Sequence, residues 1–240
     1  CTEQLVSMGL PALLFSQHPE LGQIKGKGSV SGVIQMLQGR QNEEGAFGLW
    51  SASTNVANWP SLWAIHYMIE AKDRNQQVPS ALFSRAQQWL NRIAGPWGNN
   101  MDNMRQRAYA IYLLSRLGVQ TGSQLSSLQQ ELKARYQAEW PTDITAAYVA
   151  ASQRLLQQTD LAQKTVKSVP WDNKTFGSNS SYDAYYDALG HQSQLLYIYA
   201  KHFPELLEKM PNTVLDGMGQ RVTNREYSSL SAAYLLLALT

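Results

Sequence analysis

Apolar positions recur along the chain at helical spacing. Val30, Val33, Ile34 and Leu37 follow the i, i+3, i+4, i+7 rule of an amphipathic helix. Leu62, Ile65, Tyr67, Met68 and Ile69 make a broader apolar segment, as do Tyr109, Ile111, Tyr112, Leu113 and Leu114. Ile144, Ala147, Tyr148 and Ala151 make another, Leu195, Leu196, Ile198 and Tyr199 a fourth, and Leu230, Ala233, Tyr234 and Leu237 a fifth. Between them run stretches with a narrower stripe: Leu82, Phe83, Ala86 and Leu90, then Leu125, Leu128, Leu132 and Tyr136. Nothing alternates with period two for long enough to predict a strand. The predicted class is all-α. Broad apolar helices alternating with one-sided ones imply two layers, the first kind buried on most sides and the second keeping a solvated face.

The punctuation between helices repeats. Trp59-Pro60-Ser61 opens one apolar segment and Trp140-Pro141-Thr142-Asp143 opens another. Pro in a first turn beside Ser, Thr or Asp is a helix-start signal. Aromatic-glycine turns recur at Phe47-Gly48, Trp97-Gly98 and Phe176-Gly177, each ahead of an apolar helix. A period of about 40 residues per helix pair is a repeat signature. With about eleven helical segments, the pattern makes close to six helical hairpins. Six hairpins can close into an α/α toroid; the alternative is an open α-solenoid. The glycine-aromatic turns and irregular loop lengths favour the toroid, as a single domain over residues 1–240. The segment from Asp172 to Ser181, rich in Asn, Ser and Gly, is predicted to be a surface insertion.

Composition narrows the function classes. Twenty Lys and Arg against eighteen Asp and Glu give a net charge of +2, with no basic run, which argues against a polyanion-binding surface. At 44% hydrophobic residues the chain can bury a real core. The one Cys excludes an internal disulfide framework and a Cys-based zinc site. His18, His66, His191 and His202 include no pair at helical metal-site spacing. No metal or other cofactor is expected. No apolar run approaches the roughly 20 residues of a membrane helix, and no stretch reads as a signal peptide. The chain opens on Cys1 instead of Met, and Tyr234 to Thr240 stop within an apolar helical pattern. It is therefore expected to be a fragment of a much larger protein.

That single Cys carries the most informative chemistry. Cys1-Thr2-Glu3-Gln4 leads directly into Leu5, Val6, Met8 and Leu10. With Cys1 just before a helix and Gln4 in its first turn, the sulfur and the Gln4 side-chain carbonyl approach across a tight turn. Loss of ammonia would join them as an internal thioester. Amines or hydroxyls could then attack the Gln4 carbonyl and release a thiolate, a far better leaving group than an alkoxide. A helix N-terminus helps stabilise that negative charge.

Cys-x-Glu-Gln ahead of an apolar helix resembles the thioester domain of the α2-macroglobulin and complement superfamily. Ile34-Gln35-Met36-Leu37, Gly45-Ala46-Phe47-Gly48-Leu49-Trp50 and Trp59-Pro60-Ser61-Leu62-Trp63-Ala64 follow in an order similar to its bacterial branch, and the likeness continues through Ala108-Tyr109-Ala110. The resemblance implies that Cys1 supplies the sulfur, Gln4 the acyl group and Glu3 a supporting acid. It implies a domain of a protease inhibitor, not an enzyme, whose acyl donor is used once. Cleavage of a bait segment elsewhere in the parent would expose the thioester to amines of the trapped protease. The implied partners are proteases and the other domains of the parent. Bacterial members are periplasmic, commonly lipid-anchored to the inner membrane, and guard the cell envelope. Eukaryotic members typically have Gly where Thr2 stands, so this turn is expected to accommodate a β-branched residue. The complement branch carries a His in the loop matching Gly95 to Arg105, a candidate neighbour of the site. That loop here holds none, which implies direct aminolysis.

Other readings compete. Cys1 could be the lipid-bearing Cys of a lipoprotein, although such chains usually start with a flexible tether. A toroid could also be an inert scaffold with a vestigial motif, or a carbohydrate-active enzyme. An inverting glycosidase needs two carboxylates about 6.5–9.5 Å apart. The candidates are Asp102, Asp143, Asp183 and Asp187, which serve equally as helix caps or first-turn acids. His66 and His191 are expected to be hydrogen-bonded core residues, and Tyr182, Tyr185, Tyr186, Tyr197 and Tyr199 packing residues with polar tips.

Overall fold

A computed structural model describes residues 1–16, 18, 20, 25–172 and 185–240. Tyr182, Asp183, the Phe176-Gly177 turn and all but the first residue of the expected insertion lie outside the described residues. The described chain is helical, and its one β-type contact is an isolated antiparallel bridge between Gln41 and Phe47. No described helix is long and apolar enough to cross a membrane. The chain divides into two compact units, Cys1–Leu128 and Gln129–Thr240.

The first unit holds α1 (Thr2–Leu14), α2 (Val30–Gln38), α3 (Asn58–Asp73), α4 (Ser80–Ala94), α5 (Met101–Arg116) and the start of α6 (Gly122–Arg135). The α3 helix is buried without a break from Trp59 to Ala71, and α5 from Gln106 to Leu114. By contrast, α4 buries only Leu82, Ala86, Trp89, Leu90 and Ala94, and that stripe packs on α5. The two kinds of helix expected from the apolar pattern are therefore both present. Helix α1 packs on α3 and α2. Its Gly9 permits the approach, because a Cβ there would sit 2.5 Å from Val33 Cγ2.

A network of buried charge lies at the C-terminal end of α3. Glu70 is 1% exposed. Its carboxylate bonds Arg74, meets Arg116 Nη2 at 3.4 Å and lies 3.3 Å from His66 Nε2. Arg116 also bonds Asp73 at 2.6 Å, and His66 Nδ1 lies 2.7 Å from the Tyr109 hydroxyl. His66 is thus a core histidine with both ring nitrogens engaged, as expected.

The second unit holds the end of α6, then α7 (Ile144–Leu155), α8 (Thr159–Lys167), α9 (Ala188–His202), the single turn α10 (Pro204–Leu207), α11 (Asn212–Thr223) and α12 (Ser229–Leu239). Here α7 and α9 are the deeply buried helices. Helix α8 packs on α7, and α12 on α9. Leu189, Leu196, Val214 and Met218 form a shared core between α9 and α11. Trp140-Pro141-Thr142 forms a separate 3-10 turn, so Pro141 precedes α7 instead of sitting in its first turn, and Asp143 caps the helix by accepting from Thr145 N at 3.0 Å. Asp187 caps α9 in the same way, accepting from Gly190 N at 2.6 Å. His191 sits between the Tyr186 hydroxyl at 2.6 Å and the Pro170 carbonyl at 2.8 Å. That hydroxyl also accepts from Ile144 N at 3.1 Å. Tyr186 is therefore a packing residue whose polar tip joins the starts of α7 and α9.

The turn between α2 and α3 is held from several sides. Asn42 Oδ1 accepts from Glu44 N and Ala46 N, and Gln41 Nε2 donates to Gly45 O and Leu82 O. Ser61 Oγ accepts from Phe47 N at 2.9 Å and donates back to Phe47 O at 3.1 Å. Gly45 has φ +89°, and a Cβ there would lie 1.9 Å from the Arg85 carbonyl oxygen. Gly45→Ala is expected to destabilise the protein by roughly 1–3 kcal/mol from backbone strain alone, with the clash adding to it. A urea midpoint equal to that of the wild type would refute this.

Candidate functional site

Cys1 is the N-cap of α1 and Gln4 its third helical residue. The two close a reciprocal capping box: the Cys1 side chain faces the Gln4 backbone N–H, and the Gln4 side chain reaches back to the Cys1 backbone. The Cys1 nitrogen donates to Gln4 Oε1 at 3.4 Å. Sulfur and side-chain carbonyl therefore share one helical turn, as the spacing predicts. Cys1 is half-buried and Gln4 exposed. Met8, one turn further along α1, is 78% exposed, and Trp50 is 72% exposed, so the motif opens onto an accessible, partly apolar surface.

The residues between Cys1 and Gln4 point inward. The Glu3 carboxylate accepts from Ser7 Oγ at 2.7 Å, and Ser7 Oγ accepts from Trp63 Nε1 at 3.1 Å. This chain anchors the first turn of α1 to the buried helix α3. Thr2 is fully buried, and its hydroxyl donates to Gly48 O at 2.6 Å, with Leu49 O at 3.2 Å. The β-branched residue is thus accommodated by giving its hydroxyl a backbone partner in the turn between α2 and α3.

Arg40, which follows α2, completes the arrangement. Its Nη1 donates to Thr2 Oγ1 at 3.0 Å and to Leu49 O at 3.2 Å. Sequence reasoning missed this residue. A lone Arg after a helix looks like an ordinary last-turn cation, and its partner lies 38 positions away.

The other candidates have structural duties. Asp102, in the first turn of α5, accepts from Trp59 Nε1 at 3.0 Å and Gln106 Nε2 at 2.6 Å. Asp143 and Asp187 are the caps described above. Asp183 lies outside the described residues. The segment from Gly95 to Arg105 ties α5 to α3 through Asp102, and Gly98 at φ +75° makes its turn. The helix that follows starts at Met101, where Asn100 caps it by accepting from Asn103 N at 2.9 Å.

No family model matches the chain. An α2-macroglobulin homolog of Yersinia pestis is 31% identical over 99% of it, and an α2-macroglobulin of Rickettsia conorii 32% identical over 99%. The chain matches a segment of α2-macroglobulins. It spans 12% and 13% of the length of those two relatives. Escherichia coli α2-macroglobulin activated by porcine elastase matches 99% of the chain and 22% of its own, with a TM-score of 0.78 at 18% identity. Salmonella α2-macroglobulin reacted with methylamine matches 99% of the chain and 16% of its own, with a TM-score of 0.76 at 17% identity. The fold class is accordingly the all-α toroid class expected from the sequence.

Proposed function

We propose that this chain is the thioester domain of a protease-trapping α2-macroglobulin. The observation that carries the reading is the capping box that holds the Cys1 and Gln4 side chains in the first turn of α1, each against the other's backbone. Condensation joins Cys1 Sγ to Gln4 Cδ and releases ammonia. An amine nitrogen then attacks Gln4 Cδ, the C–S bond breaks, and its electron pair leaves on sulfur. The nitrogen gives up its proton to solvent, and the product is an amide and a Cys1 thiolate. The donor is spent in one event, so the domain acts as a single-use inhibitor component, not as an enzyme.

The exposure of Gln4 supports attack by surface amines of a trapped protease. A loop from Gly95 to Arg105 without histidine supports direct aminolysis. Two relatives fit the same chemistry: one was solved after activation by elastase and one after reaction with methylamine. The complete protein is proposed to act in the periplasm, lipid-anchored to the inner membrane, with its other domains controlling access to the motif.

Methylamine tests the reading. Incubated with the complete protein, it is expected to release one titratable thiol at Cys1 and to convert Gln4 to the methylamide. Before treatment, the intact mass should be lower by one ammonia. No thiol release and an unshifted mass would leave the domain as a scaffold with a vestigial motif.

A further inference from the structure

The Cys1–Gln4 pair sits beside a cation that no part of the motif explains. Arg40 is half-buried, and burial holds its pKa below the usual guanidinium value, although an arginine stays protonated at neutral pH. Among the described residues no carboxylate lies within ion-pair distance of it. A half-buried cation without a counter-ion is costly, and such groups concentrate at functional sites. Its bonds are to Thr2 Oγ1 and Leu49 O, one residue from the sulfur-bearing position.

We propose that Arg40 is a positioning residue for acyl transfer, seating Thr2 against the Gly48–Leu49 backbone and holding a positive charge beside Cys1. The inference rests on the thioester reading and names what tunes it. Thr2 Oγ1 accepts from the guanidinium and directs its own proton to Gly48 O, so the first residue of α1 is fixed in orientation. Cys1 is next to it and shares that placement.

The charge acts on the leaving group. The Arg40 guanidinium bonds Thr2 Oγ1 at 3.0 Å, one residue from the sulfur-bearing position. As the amine attacks Gln4 Cδ and the C–S electron pair moves onto sulfur, negative charge grows where this field is positive. A lower thiol pKa makes a faster leaving group. Glu3, held by Ser7, opposes the effect, and Arg40 offsets it.

Two readouts on the complete protein separate this role from plain structural support. The pH dependence of Cys1 alkylation by iodoacetamide, after opening with methylamine, gives the thiol pKa. The rate of thiol release in methylamine gives the reactivity. Arg40→Gln is expected to raise the thiol pKa by about one unit and slow release about tenfold, with the unfolding midpoint little changed. Arg40→Lys, which keeps the charge, should recover most of both. Arg40→Met, which keeps the stem, is a second neutral variant should Arg40→Gln fold poorly. A neutral variant with wild-type thiol pKa and release rate would overturn the proposal, as would Arg40→Lys behaving like Arg40→Gln. If the wild type releases no thiol, the thioester reading falls; the Cys1 thiol pKa in the variants still decides whether Arg40 acts on the sulfur.

Discussion

Cys1→Ala is expected to abolish covalent protease conjugates of the complete protein while leaving the domain folded. Without the sulfur, Gln4 keeps an ordinary amide, which does not acylate amines under mild conditions. The stability cost should be small. Cys1 is half-buried, and the α1 N-terminus keeps its anchors through Thr2 to Gly48 and through Glu3 and Ser7 to Trp63. Loss of a weak N-cap costs about 1 kcal/mol at most. Denaturing gel electrophoresis after protease treatment reads the conjugates, and thermal unfolding reads the fold. Conjugates that persist in Cys1→Ala would place the acyl donor elsewhere.

The opposite pattern is expected at Glu70. This carboxylate is buried and faces Arg74, Arg116 and His66 together. Removing it in Glu70→Ala deprives Arg116, whose side chain is 5% exposed, of its buried acidic partner, while its bond to Asp73 at the surface stays. Breaking a buried ion pair from one side costs roughly 3–5 kcal/mol, because desolvated charge is left behind. Glu70→Gln keeps the shape and some hydrogen bonding, so a smaller loss is expected. The thiol yield per folded molecule should be unchanged in both. Chemical denaturation measures the effect, and a Glu70→Ala midpoint matching the wild type would refute it.

The helical class and much of the site were legible in sequence for definite reasons. Apolar residues at i, i+3 and i+4 mark α2, and near-continuous apolar runs mark α3, α5, α7 and α9. Asp143 and Asp187 stand at N-cap positions that local chemistry favours. The Cys1 to Gln4 spacing is itself a one-turn geometry. What escaped was set at long range. Nothing near Arg40 marks its bond to Thr2, and nothing near Asp102 marks its bond from Trp59, 43 residues away. The short helix α10 has one buried residue, Leu206, which is too little pattern to read. Thr2 looked like a steric burden in place of glycine, because its hydroxyl partner in the later turn cannot be seen from the tetrapeptide.

The Thr2 tie also orders events in time. The Cys1–Gln4 turn is local and can form as soon as α1 does, on the sub-microsecond scale of helix formation. Its setting is not local, since the Thr2–Gly48 bond spans 46 residues. That loop closes only once α2 has formed and the Gly45 turn is shaped. The motif thus reaches its final environment late in folding, after the wall beside it is built. A nascent chain holds the right residues in sequence but not yet the surroundings, so on the proposed reading the acylating group matures only in the folded domain.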